Sequence, residues 1–179
     1  MKVLRYILVV VFTIIVVMLI VAAFTESEYA VEREVTINKP LTEVFDYVKY
    51  LKNQDNFSIW ASMDPDMKKT FLGTDGTVGF ISAWESDNEN VGKGEQEIMK
   101  ITNNQRIDYE LRFVEPFEAK DDAYMTTTAI DSNQTLVKWG FEGSMNYPMN
   151  LMLLMMDMEE MLGNDLQIGL DNLKEVLEE

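Results

Sequence analysis

Residues 149–178 read MNLMLLMMDMEEMLGNDLQIGLDNLKEVLE. Pro148 suits a first helical turn, and the spacing predicts one long helix from there to about Leu177. On that projection Leu151, Met155, Met158, Leu162, Leu166, Gly169, Leu170, Leu173 and Leu177 make a single apolar stripe. Asp157, Glu160, Asn164, Gln167, Asp171, Lys174 and Glu178 lie away from it. A helix with one such stripe must cover another apolar surface, and the chain before it has to supply that surface.

The amino-terminal half of the stretch is crowded with sulfur: seven methionines fall between Met145 and Met161. Plain core filling is one reading, because an unbranched thioether fits irregular gaps. The same softness suits the wall of an adaptable apolar pocket. A copper(I) thioether site is a third reading, which the lack of histidine and cysteine argues against, so no metal site is assigned. The pocket reading carries an expectation. The methionines, Met152 and Met156 foremost, line a cavity mouth while the leucines from Leu162 onward seal its far end. Glu159 falls on the flank of the stripe and is the one candidate acid–base group, with Tyr109 behind it.

Working backward, Tyr29 to Ile37 (YAVEREVTI) alternates as a half-buried strand, with Arg33 on its apolar face. An unpaired buried guanidinium is too costly to keep. Arg33 should therefore meet a carboxylate of the last helix, Asp165 in preference to Glu159, or reach solvent at a sheet edge. Asn38-Lys39-Pro40 stops the strand and Leu41 opens a short helix through Val48. A second helix or turn covers Leu51 to Trp60. From Met67 to Glu142 short alternating runs are separated by Gly73-Thr74-Asp75-Gly76, Ser86 to Asn90, Asn103-Asn104-Gln105 and Asp131 to Gln134. The layout is α+β: an antiparallel sheet of about seven strands and a long terminal helix.

At the other end, residues 6–25 (YILVVVFTIIVVMLIVAAFT) carry no charge, enough for a bilayer-spanning helix. A cleaved signal peptide is the alternative, with Val21-Ala22-Ala23 as its cleavage site. The run exceeds an ordinary signal core, which favours a retained anchor over residues 1–25. Lys2 and Arg5 precede it, and Glu26 and Glu28 follow. The positive-inside bias then places residues 26–179 outside the cytoplasm, as a single-pass membrane protein.

With Lys2 and Arg5 set aside, 13 of the 15 basic side chains remain against all 31 acidic ones. Such a surface repels nucleic acid. There is no cysteine and no histidine, which removes thiol chemistry and the commonest general base and metal ligand. The sequence calls for no cofactor.

The ordered set VEREVTINKPLTEVFDYV (31–48), Trp60 to Asp64-Pro65, Gly73-Thr74-Asp75-Gly76 before Phe80 to Trp84, Val91 to Gly94, Arg106 to Tyr109, TLVKWGFEG (135–143) and MLGNDLQIGLDNLKEVLE (161–178) resembles the SRPBCC superfamily. That is the START-like helix-grip group, which includes polyketide cyclase/dehydrase-like proteins. The resemblance implies a curved antiparallel sheet gripping the terminal helix, with a cavity between them. It brings no universal catalytic residue, and its common pattern has no amino-terminal anchor.

The reading favours binding over catalysis: a membrane-anchored domain that binds or transports a hydrophobic small molecule or lipid. Phe80, Trp84, Tyr109, Phe113, Trp139, Phe141, Met152 and Met156 are its candidate ligand contacts. Two alternatives stay open, a cyclase/dehydrase-like enzyme using a cavity carboxylate such as Glu159, and a structural or regulatory domain with a filled interior.

Overall fold

The computed structural model describes residues 2–88 and 90–179. Helix α1 (Lys2–Phe24) precedes strand β1 (Glu28–Ile37), helix α2 (Leu41–Val48), a 3-10 turn (Leu51–Asn56) and helix α3 (Ile59–Ser62). Six strands follow: β2 (Lys68–Leu72), β3 (Ile81–Glu85), β4 (Lys93–Thr102), β5 (Arg106–Glu115), β6 (Ala119–Ala129) and β7 (Thr135–Ser144). A second 3-10 turn (Met149–Leu154) leads into helix α4 (Met158–Glu178).

The seven strands form one antiparallel sheet in the order β1-β7-β6-β5-β4-β3-β2. Strands β2 to β7 run as a meander, each beside the next, and β1 closes onto β7. Shifts of register at Lys93/Gly94 and Ile98/Lys100 break the β4–β5 ladder and bend it, as bulges do. Helix α4 lies against the concave face, mainly on β1. This is the α+β helix-grip architecture, with an additional apolar helix at the amino terminus.

The ladders give the sheet two ends. Glu28 pairs with Ser144, Asp122 with Glu142 and Lys93 with Glu115, so these residues share the end next to α1. Ile37 and Thr135 mark the opposite end. Toward that far end the interior is solid: Ile37, Ile98, Ile107, Val137, Leu170 and Leu173 are fully buried. Each such aliphatic side chain contributes roughly 1.5–3 kcal/mol on leaving water, and this half holds the fold together.

The single helix expected from Pro148 is two elements. The chain winds as a 3-10 turn from Met149, loses helical hydrogen bonding around Met155–Asp157, and starts again at Met158. Asp157 is the reason: its side chain accepts a hydrogen bond from Glu160 N–H at 2.9 Å and caps α4. The break turns Met155 out of the projected stripe, leaving it 90% exposed.

Arg33 does meet the last helix, at Glu159 rather than Asp165. Its Nη1 lies 2.6 Å from Glu159 Oε1 and its Nη2 donates to the Glu159 carbonyl at 2.9 Å. Gly163 makes the crossing possible, since a Cβ there would stand 2.0 Å from Arg33 Nη2. The Asp165 carboxyl is half-buried, and loss of water holds it above the usual carboxylate range.

Candidate ligand cavity

Alternation along the strands decides which side chains face α4. In β5, Glu110 and Arg112 point outward, where Arg112 is bracketed by Glu95 (2.6 Å), Glu97 (2.8 Å) and Glu110 (2.6 Å). Those ion pairs fix the outer face, so Leu111 and Phe113 turn inward with Gln96. In β7, Trp139 and Phe141 turn inward on either side of Gly140.

Between these strands, the first half of α4 and the 51–62 segment lies a cavity of about 310 Å³. That is near the lower bound for small-molecule sites, roughly 300–1,000 Å³. All three tryptophans of the chain, Trp60, Trp84 and Trp139, line it. They are held by edge-on contacts: Trp139 meets Trp60 at 6.0 Å and Phe57 at 5.6 Å, and Trp84 meets Phe113 at 5.9 Å. Two glycines seat them. A Cβ on Gly169 would come within 2.8 Å of Trp139, and one on Gly94 within 2.7 Å of Trp84. Trp84 also donates its indole N–H to the Val91 carbonyl at 3.2 Å.

The wall is mainly apolar, with polar groups at Gln54, Asp55, Ser58 and Lys69 and at Ser82, Asn90 and Gln96. Asp75 accepts hydrogen bonds from Leu51 N–H (2.8 Å) and Lys52 N–H (3.2 Å), which fixes the turn that carries Gln54 and Asp55. Asp55 pairs with Lys69 across the wall at 2.5 Å. Among the described residues, Gln54 Nε2 and the neighbouring Tyr109 hydroxyl are both buried without a well-formed hydrogen bond. A buried donor left unmade costs about 1–3 kcal/mol, which an acceptor on a bound molecule would recover.

Of the eight candidate contacts read from the sequence, Trp84, Phe113, Trp139 and Phe141 line the cavity. Phe80 and Tyr109 do not: both are packed solidly in the core. Burial raises the Tyr109 phenol well above its ordinary value, which keeps it protonated at neutral pH. Met152 and Met156 lie outside the lining, since the 3-10 turn sits against α1 and not over the sheet. Leu162 and Leu166 take the wall that had been assigned to the methionines, and only the leucines from Leu170 onward belong to the sealed end.

Glu159 is also outside, exposed and held by Arg33. Among the described residues, the carboxylate that borders the cavity is Asp55. It sits in the Leu51 to Trp60 segment expected as a helix or turn, on the 3-10 part of it.

No family model and no curated protein matches the chain. Solved structures do. Truncated norcoclaurine synthase from Thalictrum flavum is similar at TM-score 0.63 and 10% identity, over 84% of this chain and 93% of that one. The Aha1 dimer from Colwellia psychrerythraea gives 0.56 and 12%, over 84% and 96%. Ara h 8.0201 gives 0.55 and 12%, over 84% and 97%. At such identities the likeness is one of fold alone: the antiparallel sheet closed around a long carboxy-terminal helix described above.

Proposed function

We propose that residues 26–179 bind or carry an apolar small molecule or lipid in the cavity, and that α1 tethers them to a membrane as a retained span with the domain outside the cytoplasm. The observation that carries the binding reading is the unfilled space walled by all three tryptophans with Phe113 and Phe141. A core built only for stability would close over such rings, because interiors pack to crystal density. Gln54 and the Asp55–Lys69 pair add a polar sector, so the fitting guest is amphiphilic: a hydrocarbon or aromatic body with one hydrogen-bond acceptor.

Support for the tether comes from the end of α1. Its 23 residues are long and apolar enough to cross a membrane. Ala22 is buried against the domain, and Asn150 grips the Ala22 carbonyl. Cleavage after Ala23 would strip that partner from the folded domain, which favours retention over a signal peptide.

Because α1 has no tryptophan, emission reports on the cavity alone. The test is full-length protein in lipid nanodiscs, titrated with a doxyl-labelled fatty acid. Saturable quenching is the expected result. Ala123 borders the space and Ala123→Phe fills it, so that variant, checked for folding by circular dichroism, loses the quenching. Equal quenching in both proteins, or none in either, refutes the reading.

One observation favours a second reading, acid–base chemistry on the guest: the Asp55–Lys69 pair is part of the wall. Molecules recovered from the wild type and from Asp55→Asn would then differ in mass. Identical molecules would rule it out.

A further inference from the structure

From Gly143 to Met156 the chain carries no charge, although 26% of all its residues are charged. This is the segment that meets α1. Asn150, 3% exposed, donates through Nδ2 to the Ala22 carbonyl (2.8 Å) and the Thr25 carbonyl (2.9 Å). Met145 N–H donates to the Ser27 carbonyl at 2.8 Å. The 3-10 turn is thus pinned at the level where α1 ends.

Its side chains do not use that position to bury themselves. Met155 is 90% exposed, Leu154 63% and Met149 52%, beside Phe24 at 88% on α1 itself. Apolar side chains standing in water over such a stretch mark a contact surface. Here the surface continues directly from the helix that enters the bilayer.

We infer that Met149–Met156 dips into the headgroup–acyl boundary of the same bilayer, as a second membrane contact that holds the cavity end of the domain at the lipid surface. The inference rests on the reading of α1 as a membrane span. Charge argues for lipid over a protein partner. The domain is strongly acidic, yet the segment is uncharged and flanked by Glu142 and Asp157, so it offers apolar area and no pairing groups for a basic surface. Flexible thioethers also suit a disordered acyl boundary better than a fixed partner.

The geometry links this contact to the cavity. Phe141 lies toward the α1 end of β7 with Trp139 at mid-strand, Trp84 lies at the α1 end of β3, and Leu162 and Leu166 lie on the first half of α4. Met149–Met156 joins β7 to α4 in sequence.

The chain has no cysteine, so single cysteines can be placed freely. Met155→Cys, Leu154→Cys, Ile14→Cys within α1 and Ser132→Cys at the far turn are labelled with an environment-sensitive nitrobenzoxadiazole. Each full-length protein is reconstituted in phosphatidylcholine vesicles that carry doxyl groups at shallow or deep positions. The proposal expects Ile14 to be quenched by the deep label, Met155 and Leu154 to lose at least half their emission to the shallow label, and Ser132 to be quenched by neither. Quenched Ile14 with unquenched Met155 and Leu154 leaves the span standing and overturns the insertion. Unquenched Ile14 removes the span and the insertion with it. A blue-shifted but unquenched Met155 that cross-links to a second copy replaces the lipid with a dimer, and likewise overturns the proposal.

Discussion

Arg33 crosses over Gly163 to reach Glu159, tying the first strand of the domain to the first turn of its last helix. Glu159 is exposed, so the pair itself is worth only about 0.2–1 kcal/mol. A methyl group at Gly163 would push the guanidinium aside, while alanine gains about 1 kcal/mol of helix propensity over glycine. Gly163→Ala should therefore leave stability within about 1 kcal/mol of wild type and abolish the Arg33–Glu159 coupling in a double-mutant cycle. Coupling that survives the substitution would mean the crossing is not confined as described.

Gly169 gives the contrasting case. There the obstacle is the rigid indole of Trp139. Gly169→Ala should cost about 1–3 kcal/mol despite the gain in propensity, and should shift tryptophan emission as Trp139 is displaced toward the cavity. A variant as stable as wild type with unchanged emission would contradict the close approach.

The two halves of α4 differ in how much a lost side chain costs. Leu170→Ala empties a filled site and should destabilise by about 2–5 kcal/mol in denaturant unfolding. Leu162 already faces open space, so Leu162→Ala should cost under about 2 kcal/mol and admit a bulkier guest. Equal costs would remove the distinction.

Much of this was legible beforehand. The alternation of β1 and the leucine stripe of α4 survive in the structure because each pattern has one period and one buried face. Pro148 misled: it is compatible with a helix start, but Asp157 followed by Glu160 is the stronger capping signal, and it sets the true one. The methionines were read by residue type alone. Their destination depended on a tertiary contact, Asn150 with the end of α1, that no periodicity encodes. The polar groups at Gln54 and Asp55 sit together in one short turn, but their partner Lys69 comes from β2, a pairing that no local pattern encodes.

Asp121 provides a pH test. Burial raises its carboxyl above the usual value, opposed by the Ser144 N–H and reinforced by Asp122. A carboxyl whose folded pKa exceeds its unfolded one, about 3.9, costs the fold nothing while protonated and costs stability as pH rises through the folded value. Asp121→Asn should therefore be more stable than wild type at pH 7, with the gain fading below about pH 4. A variant less stable at pH 7 would show that the ionised group is favourable where it stands.

Asn150→Ala should free the end of α1 by leaving the Ala22 and Thr25 carbonyls without their donor, at a cost of about 1–3 kcal/mol. Limited proteolysis near Ser27 of the full-length protein should accelerate. Asn150→Asp, which sets an acceptor against two carbonyls, should accelerate it further. Unchanged cleavage in both would mean the contact does not restrain the junction.

The division of the interior along α4 separates what this chain must conserve from what it is free to vary. Stability resides around Leu170, Leu173, Ile37 and Val137, which border no open space. The shape of the proposed guest would be set by positions such as Ala61, Met67 and Leu162, which border the open space and are only half-buried. A lineage could exchange one guest for another through a few substitutions there without first passing through an unfolded ancestor. A library randomised at those three positions should stay largely folded, whereas one randomised at Leu170, Leu173 and Val137 should not.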